Sequence, residues 1–127
     1  MKRIQDMMKR ILVIDDAPDI LDLVQNMLEQ EGYEVIATTN GRSALEQIMT
    51  IEPDLIVLDL FMPVMDGYEF IVQLRQRDQQ KGSIPIILLT AHKLAQDEIE
   101  RLGVAGYFQK PFRQRELLHK INGLLSN

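Results

Sequence analysis

Five polar side chains in this sequence share one feature of placement: each closes a short apolar run. Asp15 and Asp16 follow Ile11-Leu12-Val13-Ile14, and Asp59 follows Leu55-Ile56-Val57-Leu58. Thr90 ends Ile86-Ile87-Leu88-Leu89, and Lys110 comes directly after Tyr107-Phe108-Gln109. If the runs are neighbouring strands, three carboxylates converge and repel, so each must meet a cation or be harder to ionise. Magnesium suits such a set, because it is a hard ion that takes oxygen ligands at ~2.0–2.1 Å and keeps several waters. Three aspartates, one Mg²⁺ and Lys110 sum to zero formal charge. Taken singly, each residue has an ordinary alternative. Asp15 and Asp16 could cap a helix, Asp59 could sit in a turn, Thr90 could bond backbone, and Lys110 could be an exposed loop lysine. Together they point to a site, since no single structural role needs all of them.

The elements that must position these residues alternate in a regular rhythm. After Asp15-Asp16, Pro18 stands where the first turn of a helix tolerates proline. Ile20, Leu21, Val24, Met27 and Leu28 then recur at helical spacing until Gly32. Val35–Thr38 reads as a second strand, and Ala44, Leu45, Ile48 and Met49 mark a short helix ending before Pro53. Beyond Asp59, a turn-rich stretch with Pro63 and Asp66-Gly67 leads to a helix marked by Phe70, Ile71 and Leu74. Residues 94–102 are helical in composition, but their apolar stripe (Ala95, Ile99, Leu102) is thin. Tyr107-Phe108 fits a short fifth strand. Leu117, Leu118, Ile121, Leu124 and Leu125 give the last helix an apolar face. Five β/α pairs whose strands are apolar throughout predict an α/β fold: a parallel sheet covered on both sides by helices. Right-handed crossovers then bring the C-terminal ends of all strands to one edge, where open α/β sheets bind ligands.

Composition narrows the chemistry. A chain of 127 residues with 46% hydrophobic residues is one domain with a real core. Without cysteine it has no disulfide, thiol nucleophile or Cys-ligated metal site. No apolar run approaches the ~18 residues of a membrane span. The net charge of -5 argues against a general nucleic-acid binder. That charge is unevenly spread: residues 1–10 and 110–127 each carry a balance of +3, which leaves -11 on the 99 residues between. The repetition of Met1-Lys2-Arg3-Ile4 as Met8-Lys9-Arg10-Ile11 reads as a short extension, residues 1–9, ahead of a domain spanning 10–127.

Four segments in this order and spacing resemble the receiver domain of two-component response regulators. They are Ile11–Asp16, the stretch Asp54-Leu55-Ile56-Val57-Leu58-Asp59-Leu60-Phe61-Met62-Pro63-Val64-Met65-Asp66-Gly67, then Pro85–Ala91, and Gly106-Tyr107-Phe108-Gln109-Lys110-Pro111-Phe112. The resemblance runs from Met8 to about Leu125. It implies a flavodoxin-like (βα)5 doubly wound sheet with strand order 2-1-3-4-5. It implies that Asp59 accepts a phosphoryl group from a histidine kinase or histidine phosphotransfer protein. Mg²⁺ would be held by Asp16, Asp59 and the backbone carbonyl of Phe61, with Asp15 acting mainly through a bound water. Lys110 would pair with the acyl phosphate and Thr90 would hydrogen-bond it, while the small Ala91 flanks the phosphoryl entrance. Tyr107 matches the switch aromatic, Pro111 a proline after a cis peptide bond, and Gly67 a backbone-shaping glycine. Phe61 and His92 occupy positions that tune dephosphorylation; otherwise His92 is an exposed loop histidine.

The resemblance further implies a cytoplasmic signalling module, monomeric or weakly dimeric, and not an enzyme beyond its own phosphoryl transfer and slow autodephosphorylation. Its output would pass to a downstream effector protein through the fourth helix, fifth strand and fifth helix, with Arg113, Arg115 and Lys120 available to an acidic partner. Direct nucleic-acid binding and membrane insertion are not expected. The chain resembles a stand-alone receiver; a receiver fragment of a larger transcriptional regulator would look the same. Two other classes lack residues they require. An aspartyl-nucleophile, Mg-dependent phosphohydrolase needs a second acid two places after the nucleophile, where Phe61 stands. A flavin or nucleotide binder needs a glycine-rich loop, where Asp15-Asp16-Ala17-Pro18 stands.

Overall fold

The computed structural model describes residues 8–77 and 83–126. Strands β1 (Arg10–Ile14), β2 (Glu34–Thr38), β3 (Leu55–Leu58), β4 (Ile86–Thr90) and β5 (Gly106–Gln109) form one sheet in the order β2-β1-β3-β4-β5. Every neighbouring pair is parallel. The helices are α1 (Pro18–Gln30), α2 (Gly41–Ile51), α3 (Gly67–Arg77), α4 (Gln96–Leu102) and α5 (Gln114–Leu125). Most of the expected extension 1–9 lies outside the described residues, and β1 begins at Arg10.

The uninterrupted apolar strands have the cause expected of them. Side chains alternate across a strand, and here both faces are covered. Leu12, Ile14, Ile56, Leu58, Ile86 and Leu88 join a core with α2 and α3. Ile11, Val13, Leu55, Val57, Ile87 and Leu89 join a second core with α1 and α5. The two cores lie on opposite faces of the sheet, and burying each strand side chain there is worth about 1.5–3 kcal/mol.

Helix boundaries follow local chemistry. Pro18 opens α1, and Gly32, at φ 90°, supplies the left-handed residue just beyond its end. Asn40 caps α2 by accepting from the amides of Arg42 and Ser43, and Asp66 accepts from the Glu69 amide at the start of α3. The periodicity of α2 placed Met49 on the buried stripe. Met49 is 56% exposed, and Ile51 fills the inner position instead. In α5, Leu117 and Ile121 are fully buried, while Leu118, Leu124 and Leu125 are only half-buried against the core. Helix α4 buries no side chain at all. Among the described residues no helix is long and apolar enough to cross a membrane.

Candidate functional site

The sheet registers Ile14 beside Leu58, and Leu58 beside Leu88. The residues after these positions therefore emerge together at one edge. The ladder continues one step further and holds the backbone of both buried aspartates. The Asp15 amide donates to the Thr38 carbonyl at 3.2 Å, and the Asp59 amide to the Ile14 carbonyl at 3.0 Å. Lys110 is tied in the same way, its amide donating to the Thr90 carbonyl at 2.7 Å. The peptide bond from Lys110 to Pro111 is cis.

Side chains converge on this edge. Carboxylate oxygens of Asp15, Asp16 and Asp59 lie within 4.8 Å of one another, with Asp15 and Asp59 buried and Asp16 exposed. Lys110 Nζ is 2.7 Å from Asp15 Oδ2 and 3.5 Å from Asp59 Oδ2. The other oxygen of Asp15, Oδ1, accepts from the Ala17 amide at 2.9 Å, so this carboxylate is held at both oxygens. Helix capping does not account for the aspartate pair. The N-cap of α1 is Ala17, and no side chain caps it.

Electrostatics give the site its character. One lysine against three carboxylates leaves a formal charge of -2, the complement of a divalent cation, and the donors are hard oxygens. The residues present therefore fit Mg²⁺. Asp59 carries the strain. Burial raises its pKa above the ordinary carboxylate value, and the charges of Asp15 and Asp16 push the same way. The Phe61 amide, which donates to Asp59 Oδ1 at 3.3 Å, and the Lys110 ammonium oppose this without cancelling it.

The surrounding residues take distinct places. Gly67 is where it is because nothing larger fits. A Cβ there would lie 2.7 Å from both the Asp59 carbonyl oxygen and Leu60 Cα, and the Gly67 amide donates to the Leu60 carbonyl at 2.8 Å. The Thr90 side chain is fully buried, and its Oγ1 accepts from the His92 amide at 3.4 Å. Ala91 is exposed. Tyr107 is half-buried, and its hydroxyl is not left to solvent. It donates to the His92 carbonyl at 2.9 Å and accepts from the Leu94 amide at 3.1 Å, so β5 grips the loop between β4 and α4. Arg113, Arg115 and Lys120 are exposed on or beside α5.

Two features were not visible in the sequence. His92 is exposed, as a loop histidine should be, but its ring packs on Phe61 with centroids 3.9 Å apart. Phe61 also meets Tyr68 edge-on at 6.1 Å, and the Tyr68 hydroxyl donates to Glu98 Oε2 at 2.6 Å. Phe61 with His92 and Tyr68 with Glu98 are 31 and 30 residues apart, separations that carry no periodic signal, and Phe61 meets Tyr68 across a turn-rich stretch that has no period either.

Comparison with known proteins agrees with this geometry. The family model described as the response regulator receiver domain matches residues 11–122. The Bacillus subtilis alkaline phosphatase synthesis transcriptional regulatory protein PhoP is 43% identical over 121 residues, covering 94% of this chain and 49% of the relative. The chain spans about half the length of the curated relatives it matches. The chemotaxis response regulator CheY4 of Vibrio cholerae superposes with a TM-score of 0.83 at 33% identity, covering 93% of this chain and 99% of that one. The Thermotoga maritima response regulator TrrA, solved in complex with Mg²⁺ and BeF, gives a TM-score of 0.81 at 36% identity, covering 93% and 100%. The hydrolase and flavin-binder alternatives lose their ground. The chain belongs to the response regulator receiver domain family, the Mg²⁺-binding phosphoaspartate signalling modules of two-component systems, which are not classical enzymes.

Proposed function

We propose that Asp59 is the phosphoryl acceptor of this chain and that Asp15, Asp16 and the backbone carbonyl of Phe61 complete its Mg²⁺ site. The observation that carries this reading is the buried carboxylate of Asp59, held beside two further aspartates and 3.5 Å from a lysine at the mouth of the sheet. When bound, Mg²⁺ supplies neutralisation of the charge that gathers on the transferring phosphoryl oxygens. The residues of the chain do the rest. A carboxylate oxygen of Asp59 attacks phosphorus in line, the P–N bond of a phosphohistidine donor breaks, and the imidazole leaves with the electron pair. Lys110 turns from its aspartate partners to the new phosphoryl oxygens, and the Thr90 hydroxyl donates to another. Both movements shorten distances to a group that adds roughly one negative charge and three acceptor oxygens.

Thr90 and Tyr107 then form the switch. Thr90 carries the Asp59 state into the loop gripped by the Tyr107 hydroxyl, and the surface of α4, β5 and α5 changes accordingly. Donors are a histidine kinase or a histidine phosphotransfer protein in the cytoplasm; the recipient is a downstream effector protein that reads this surface. The packed rings of Phe61 and His92 screen Asp59 from water and slow its autodephosphorylation. The test is incubation with Mg²⁺ and acetyl phosphate, followed by intact-mass measurement. One phosphoryl group, stable in acid and labile in base, is expected, with none in Asp59→Asn or when Mg²⁺ is chelated. An adduct that persists in Asp59→Asn refutes the assignment.

A further inference from the structure

Helix α4 poses a packing problem. It buries no side chain, and only the half-buried Ile99 and Leu102 rest against the core from its one apolar side. Seven residues do not hold a helix by themselves in water. Its neighbour α3 supplies what packing does not. Near the N-terminal end of α4, the Tyr68 hydroxyl donates to Glu98 Oε2 at 2.6 Å. At the other end, Arg75 Nη2 donates to the carbonyls of Leu102 at 3.2 Å and Gly103 at 3.1 Å. There Gly103, at φ 65°, ends the helix with carbonyls that lack intrahelical partners. Tyr68 and Arg75 are two turns apart on α3 and so share one face. The Tyr68 ring meets Phe61 edge-on, and Phe61 is the second residue after Asp59.

We propose that Tyr68 and Arg75 form a two-point polar clamp that sets the position of α4 and couples it to the Phe61 segment beside Asp59. This connection runs beside the one through Thr90 and Tyr107 and does not pass through either residue. Few, directional bonds hold α4, so one bond can be released without opening the core. The clamp is formed in the same arrangement in which the Tyr107 hydroxyl ties the loop after Thr90 to β5 and the His92 ring packs on Phe61, the second residue after Asp59. By linkage, an anion analogue that favours that arrangement at Asp59 must bind more weakly when the clamp is cut.

The experiment uses Tyr68→Phe, which keeps the ring against Phe61 and removes only the hydroxyl. Hydrogen exchange of the α4 amides, read by mass spectrometry without any phosphoryl analogue, is expected to quicken about fivefold, the scale of one net hydrogen bond, while α5 exchange is unchanged. Beryllofluoride in saturating Mg²⁺ is expected to bind about threefold more weakly, because only part of the one lost hydrogen bond is felt at Asp59. Glu98→Ala should reproduce both effects, the double variant should add nothing further, and Glu98→Gln, which keeps an acceptor oxygen, should restore most of each. Arg75→Ala should quicken exchange at the C-terminal end of α4. Unchanged α4 exchange in Tyr68→Phe, or beryllofluoride binding that is equal or tighter, overturns the proposal. The exchange arm needs no phosphoryl chemistry, so its failure is distinct from failure of the Asp59 assignment.

Discussion

Helices α4 and α5 both flank β5, yet they are held by opposite means. Helix α5 drives Leu117 and Ile121, both fully buried, into the core it shares with α1. Helix α4 has no fully buried side chain, rests only Ile99 and Leu102 on the core, and takes side-chain hydrogen bonds from α3 at its two ends. Packed cores resist displacement because any shift costs many contacts at once. Hydrogen bonds at a half-exposed surface exchange readily with water, each worth only about 0.5–1.5 kcal/mol net. The contrast is one of resistance: α5 is the anchored helix, and α4 is the one that a small free energy can displace. Low local stability is what a moving element requires.

The contrast can be broken by mutation. The largest effect is expected from Leu117→Ala, which empties a fully buried position and should cost about 2–5 kcal/mol in urea unfolding. A loss below ~1 kcal/mol would mean that α5 is not the anchored helix. The next test concerns the edge that both helices border. The folded state raises the pKa of Asp59 above its unfolded value, so folding prefers the protonated form. Above the folded pKa the ionised carboxylate is therefore a liability, and Asp59→Asn should be more stable than the parent at pH 7 without Mg²⁺. That advantage should shrink as pH falls through the raised pKa and disappear below the ordinary carboxylate range. Unfolding midpoints across pH check the sign, and a variant less stable at pH 7 contradicts the electrostatic account. The smallest effect is expected from Ile99→Ala on α4, below about 1 kcal/mol because the side chain is only half-buried. A cost as large as that of Leu117→Ala would erase the distinction between the helices.

Much of this architecture was legible in the residues, for a physical reason. Strands covered on both faces must be apolar at every position, so Ile11–Ile14, Leu55–Leu58 and Ile86–Leu89 announced themselves, and the first polar residue after each had to lie at the sheet edge. Asp15, Asp59 and Thr90 followed from that rule. Asp16 and Lys110 stood beside it, as the next residue after Asp15 and the residue closing the fifth strand, and the structure brings Asp15, Asp16, Asp59 and Lys110 together. The thin stripe of residues 94–102 likewise foretold a weakly packed helix. Contacts between elements were harder to see. Tyr68 with Glu98 and Phe61 with His92 depend on how α3 and the loops after β3 and β4 meet, which no local period encodes. Met49 misled because it adjoins the buried Ile48 in sequence, and the apolar pair alone does not say which of the two the helix turns inward.

The bond from the Gly67 amide to the Leu60 carbonyl closes the chain on itself just after Asp59. The segment between is thus a ring with a fixed clasp, anchored by the buried Met62 and Met65, and Val64 at its tip is 75% exposed. A residue inserted beside Val64 would lengthen a ring whose closure costs little extra entropy. A single methyl group at the clasp has no room beside the Asp59 backbone. The segment therefore has room to change at Val64, while its base beside Asp59 does not.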